Sequence, residues 1–114
     1  MVAIKSFTDL EQSKKLAEIL PLESADMGYL WNGTSFCEYP VSNQTIFNRI
    51  ENIPCWSFAA LLNVLPEIQG GKPIIVLDDN YITYPHMSKL HTKADNLVDA
   101  CVAMIIRLNE LNLL

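Results

Sequence analysis

The segment that most constrains the fold of this chain is its C-terminal stretch, residues 96–114. Leu97, Cys101, Met104, Leu108 and Leu111 recur at alternating spacings of four and three. That interval returns a side chain to one face of an α-helix. Asn96 supplies an N-cap, and Asp99 puts a negative charge in the first turn, where the helix dipole favours it. Val98, Val102 and Ile105 widen the stripe beyond what a solvated helix carries. The expectation is a buried helix with Met104, Leu108 and Leu111 on its core face. A buried helix requires a globular core around it.

Upstream, Thr8-Asp9-Leu10-Glu11 fits a capping box with Thr8 at the N-cap, and Pro21 stops a helix that spans about 9–20. Asn32-Gly33 is a strong hairpin signal, since both residues tolerate positive φ, and it predicts a β-hairpin over 27–39 closed off by Pro40. Residues 41–53 fit a short helix or an ordered loop. Pro54 suits the first turn of a second helix over 55–65, apolar on nearly every side and stopped by Pro66. Pro73-Ile74-Ile75-Val76-Leu77 reads as a strand, Asp78-Asp79-Asn80 as a turn, and Tyr81-Ile82-Thr83-Tyr84 as the returning strand. The polar stretch 86–93 reads as a connector to the last helix. The order α-ββ-α-ββ-α predicts a two-layer α+β fold, antiparallel hairpins packed with about three helices, in a single domain over 1–114.

Half of the residues are apolar and 18% are charged, so a core forms without staples and disorder is disfavoured. The net charge is −5, and the eight Lys and Arg are scattered with only Lys14 and Lys15 adjacent. Nucleic-acid binding draws on a basic stripe that releases counterions, and the sequence offers none. The near-apolar run 100–106 falls far short of the ~20 residues of a membrane span. Cys37, Cys55 and Cys101 are an odd, widely spaced set, which suits a reducing cytoplasmic setting.

The candidate chemistry is sparse. His86 and His91 do not stack on one helical turn, and no two cysteines form a Cys-x-x-Cys pair, so neither metal nor cofactor is expected. Cys55 stands near the start of the second predicted helix, where a thiolate is favoured, but Trp56 and the apolar run after it point to burial. Asp78 and Asp79 are adjacent carboxylates for a cation or for acid–base work, and equally plain turn formers. Gly70-Gly71-Lys72-Pro73 lacks the ending of a phosphate-binding loop. Trp31, Trp56, Tyr81 and Tyr84 are the candidate interaction surface, because Tyr and Trp combine area with a polar tip. Tyr81 and Tyr84 have opposite parity on one strand, so one of them faces away from the helices.

Three blocks carry a resemblance. The first is Phe7-Thr8-Asp9-Leu10-Glu11-Gln12-Ser13-Lys14-Lys15-Leu16-Ala17-Glu18-Ile19-Leu20-Pro21 with Glu23-Ser24-Ala25-Asp26-Met27. The second is Ile53-Pro54-Cys55-Trp56-Ser57. The third is Asp99-Ala100-Cys101-Val102-Ala103-Met104-Ile105-Ile106 with Leu108 and Glu110-Leu111-Asn112-Leu113-Leu114. Together the blocks span about a third of the chain and resemble small uncharacterised proteins encoded in prophages and mobile elements of gut bacteria. The resemblance implies a bacterial cytoplasmic setting and an accessory role, and it carries over no catalytic residue.

Three functions compete. The first is a non-catalytic accessory protein that binds a protein partner or itself, as a homodimer using helix surface around Trp56 or the aromatic sheet face. The second is a small-molecule or nucleotide-binding module. The third is a small enzyme built on Cys55 or on Asp78 and Asp79.

Overall fold

In a computed structural model the described residues are 5–37, 39–41 and 52–114. Their elements are α1 (Leu10–Ala17), a 3-10 turn (Leu22–Ser24), β1 (Met27–Tyr29), β2 (Ile53–Cys55), α2 (Phe58–Val64), β3 (Ile74–Val76), β4 (Tyr81–Tyr84), β5 (Met87–Lys93) and α3 (Leu97–Glu110). The fold is α+β, as the sequence pattern predicts, with three helices and two small antiparallel sheets among the described residues.

The first helix begins one residue later than expected. Asp9, not Thr8, is its N-cap: the Asp9 carboxylate accepts from Gln12 N–H at 2.8 Å, and Gln12 Oε1 accepts from Asp9 N–H at 3.1 Å. Thr8 is buried instead. After Ala17 the chain relaxes through a turn in which Leu20 N–H still reaches Leu16 at 2.8 Å, and Pro21 forbids more.

The first strand pairs with a distant partner rather than with its neighbour. Met27, Gly28 and Tyr29 oppose Cys55, Pro54 and Ile53. The Gly28 amide and carbonyl both turn to Val41, at 3.0 and 2.9 Å, so the position opposite Pro54 needs no donor from it. A proline expected in a helix is thereby tolerated in a strand. Of the predicted hairpin over 27–39, the turn survives as a Trp31–Phe36 bridge. Asn32 Oδ1 accepts there from the amides of Thr34 and Ser35, both at 3.0 Å, and Gly33 holds φ at +103°. Most of the ambiguous segment 41–53 lies outside the described residues.

The second helix starts at Phe58, capped by Ser57, whose Oγ accepts from Ala60 N–H at 3.2 Å. Ser57 in turn donates from its amide and hydroxyl to Asp26. Ala60 and Leu61 are buried, and Phe58, Leu62 and Val64 pack against the core, so a helix that reads as apolar all round is mostly covered.

The second sheet has the order β3-β4-β5. The predicted connector is mostly strand β5, because Leu90 and Thr92 alternate with Lys89, His91 and Lys93 at the two-residue period of a pleated sheet. Ile75, Ile82, Leu90 and Thr92 face the helices, and Thr92 Oγ1 donates to the Ala100 carbonyl at 2.8 Å. A register shift at Thr83 and Tyr84 ends the regular ladder.

The last helix is capped as expected: Asn96 Oδ1 accepts from Asp99 N–H at 2.8 Å. Val98, Cys101, Met104, Ile105 and Leu108 are fully buried, each large one contributing about 1.5–3 kcal/mol of hydrophobic stabilisation. Leu111 departs from the stripe and is 42% exposed. It is the C-cap, and the chain turns away through Asn112 at φ +57°, with Leu113 N–H returning to Leu108 at 2.9 Å.

Candidate interaction surface

The candidate surface divides cleanly. Trp56 is 0% exposed and its indole N–H donates to Ser24 Oγ at 2.9 Å. Tyr84 is 1% exposed and its hydroxyl donates to the Pro66 carbonyl at 2.8 Å. Both polar tips find partners inside, so these two rings are core and offer nothing to a partner. The expectation of an interface around Trp56 is corrected accordingly. Trp31 and Tyr81 are half-buried. The Trp31 ring meets Phe36 edge-on at 5.0 Å, and Lys14 Nζ lies 5.7 Å from the Phe36 ring centre.

Tyr81 sits on the outer face of the second sheet, as its parity relative to Tyr84 requires. There it opposes Val76 on one side and Lys93 on the other, and its ring lies 5.7 Å from that of His91. Ile74 shares this face and is 47% exposed. Leu77, at the start of the turn into β4, is 67% exposed. Among the described residues β3 is paired on one side only, so apolar side chains flank an open strand edge. Such edges are normally blunted by charge, because their free amides and carbonyls invite another strand. The opposite edge, β5, is blunted in this way by Lys89, His91 and Lys93. The aromatic residues stand out in the sequence, whereas exposed Ile74 and Leu77 and half-buried Val76 beside Tyr81 do not. The available signal was a β-branched run in a short hairpin that ends a sheet.

The candidate nucleophile is enclosed. Cys55 ends β2 rather than starting a helix, and it is fully buried with its Sγ 3.4 Å from Thr8 Oγ1. Burial pushes its thiol pKa up, against the hydrogen bonds from Thr8 and Ser13 that pull it down. Thr8 Oγ1 also meets Ser13 Oγ at 2.7 Å and accepts from Trp56 N–H at 3.2 Å, while Tyr29 donates to the Thr8 carbonyl at 2.9 Å. This is a closed polar knot in the core, with its donors and acceptors spent on one another. Cys101 is buried too, its pKa pushed to about 12 by burial. Asp78 and Asp79 are exposed in the turn between β3 and β4, where water solvates both. Among the described residues no group of three or more His, Cys, Asp or Glu could hold a metal ion, and no helix is long and apolar enough to cross a membrane.

A cleft of about 600 Å3 opens where α1, α2 and α3 end. Ile19, Leu20, Pro21, Val64 and Leu114 form apolar walls, with Glu23, Ser24, Asn63 and Asn109 as polar groups. Ser24 is already engaged, accepting from Trp56 and donating to the Pro21 carbonyl at 2.6 Å.

Comparison with the models of known protein families, with curated proteins and with solved structures finds no match. The surface and the cleft therefore speak through their own chemistry.

Proposed function

We propose that this chain is a non-catalytic accessory protein of a phage or mobile element, cytoplasmic in setting, that works by contact with proteins, itself included. One observation carries the reading: the open edge of β3 presents Ile74, Val76 and Leu77 beside Tyr81, an apolar and aromatic strip in water. Exposed apolar surface gathered at a strand edge left open among the described residues supports an interface rather than a reacting centre. The buried thiols of Cys55 and Cys101 take two nucleophiles out of solvent, which weighs in the same direction. A homodimer is the commonest solution for a small chain with such a strip.

The test compares the wild type with an Ile74→Lys/Leu77→Lys variant, by light scattering at micromolar concentration and by capture of interacting proteins on each immobilised chain. The reading expects self-association or a captured protein that the variant loses. A monomer that captures the same proteins through both chains sinks it.

The cleft favours a second reading, a small-molecule-binding module, because its volume lies within the usual range for ligand sites. Val64→Trp would narrow it. A compound that raises the melting temperature of the wild type but not of that variant would support this reading, and a screen without such a compound would count against it.

A further inference from the structure

We propose that the occupant of the open β3 edge is β3 of a second copy, paired antiparallel about a two-fold axis at Ile75; this rests on the protein-contact reading above and names the partner. The sequence runs Lys72-Pro73-Ile74-Ile75-Val76-Leu77-Asp78. Antiparallel self-pairing centred on Ile75 sets Ile74 against the second copy's Val76, and Lys72 against its Asp78. The two-fold axis generates each contact twice, so the dimer gains two opposite-charge pairs and loses none. Lys72, Ile74 and Asp78 are all exposed, so they are free to make these contacts. Shifting the register by one residue moves every side chain to the other face, and a slip towards the turn would set Lys72 against Asp79 in place of Asp78.

The other edge of the same sheet supplies the contrast. The charged and titratable side chains of β5 are Lys89, His91 and Lys93, all exposed and none acidic. Antiparallel self-pairing of β5 centred on His91 sets Lys89 against Lys93, like charge against like. One edge is therefore self-repelling and the other self-complementary. Pro73 has no N–H and Asp78 lies in the turn, so the new ladder is short. The side chains, rather than a long ladder, set its register, and the dimer is concentration-dependent.

The charge pattern allows a test that fold stability cannot imitate. Four chains are compared by analytical ultracentrifugation: wild type, Lys72→Asp, Asp78→Lys and the double exchange. Each single reversal turns two attractive pairs into two repulsive ones and raises the dimer Kd roughly tenfold. The double exchange restores the wild-type Kd. An equimolar mixture of the two single-reversal chains forms a heterodimer at wild-type affinity, because every Asp again meets a Lys. Circular dichroism checks that each chain is folded. Equal dimerisation by all four chains, or a mixture no tighter than its components, overturns this register and leaves the wider protein-contact reading standing. A wild type that stays monomeric at every concentration also overturns it. The wider reading then falls only if Ile74→Lys/Leu77→Lys also captures the same proteins as the wild type.

Discussion

Replacing Thr8 by Val keeps the shape of a fully buried side chain and removes one oxygen. That oxygen accepts from Trp56 N–H at 3.2 Å and bonds the Ser13 hydroxyl at 2.7 Å. The substitution leaves a buried backbone amide without its acceptor, at a cost of about 1–3 kcal/mol. Loss of the Ser13 bond adds about 1 kcal/mol. The expected total is about 2–4 kcal/mol, a large share of the ~5–15 kcal/mol that holds a domain of this size. In thermal unfolding it corresponds to a fall of roughly 10–20 °C in Tm. Thr8→Ser is the control: it keeps the hydroxyl, loses one methyl, and costs about 1 kcal/mol. Urea unfolding of both variants measures the difference. A Thr8→Val chain within about 0.5 kcal/mol of wild type, or one more stable than Thr8→Ser, would refute the polar knot as a stabilising unit.

Leu108→Ala should cost about 2–5 kcal/mol through lost burial and a cavity, whereas Leu111→Ala should cost under about 1 kcal/mol because that side chain is exposed; denaturant midpoints decide, and equal losses would put Leu111 back in the core. A thiol reagent should label half-buried Cys37 fast and the buried Cys55 and Cys101 only through unfolding, as mass spectrometry of a time course would reveal. Lys5 Nζ meets Asp99 at 2.7 Å and Asp9 at 3.1 Å, with Gln12 and Asn96 donating to Asp99 as well. Burial opposes both charges, but these partners outweigh it, so the Lys5 pKa is raised above 10.5 and the Asp99 pKa is lowered below 3.8. The Lys5 contribution is whole below 10.5 and fades as pH rises through the raised value; the Asp99 contribution is whole above 3.8 and fades as pH falls through the lowered one. Lys5→Met should therefore lose about 0.5–1 kcal/mol between those limits, a gap that narrows at both extremes, and a gap independent of pH would count against the ion cluster.

What the sequence made legible is local. The cap and stripe of α3 follow from spacing within one element, and so do the turns at Asn32-Gly33 and Asp78-Asp79-Asn80. Leu111 broke the pattern because a helix end is set by backbone geometry, here Asn112 at positive φ, and not by apolar spacing. Thr8 and Asp9 are both good caps, and the choice between them fell to burial of Thr8 against Ser13 and against Cys55, the latter 47 residues away. The β1–β2 pairing joins Met27 to Cys55, a separation over which no turn signal reaches. Strand β5 was visible in the alternation of Lys89, Leu90, His91 and Thr92, yet its polarity reads as a connector. Exposure of the aromatic candidates was not legible. An aromatic residue advertises a contact without saying which side of the fold it meets, and Trp56 and Tyr84 found their polar partners inside.

The contact between Lys5 and Asp99 spans 94 residues of chain. A ribosome working at roughly 5–20 residues per second needs about 5–20 s to make that span. During that interval the arm before α1 has no carboxylate from α3 to settle against, and the core that takes in Leu16 and Leu20 still lacks Met104, Ile105 and Leu108. The order of synthesis therefore leaves the contact between α1 and α3 until late, although β2 can cover α1 earlier. An apolar face waits in the open while the chain is being built, and for those seconds the nascent chain is a client for whatever protects such faces in the cell.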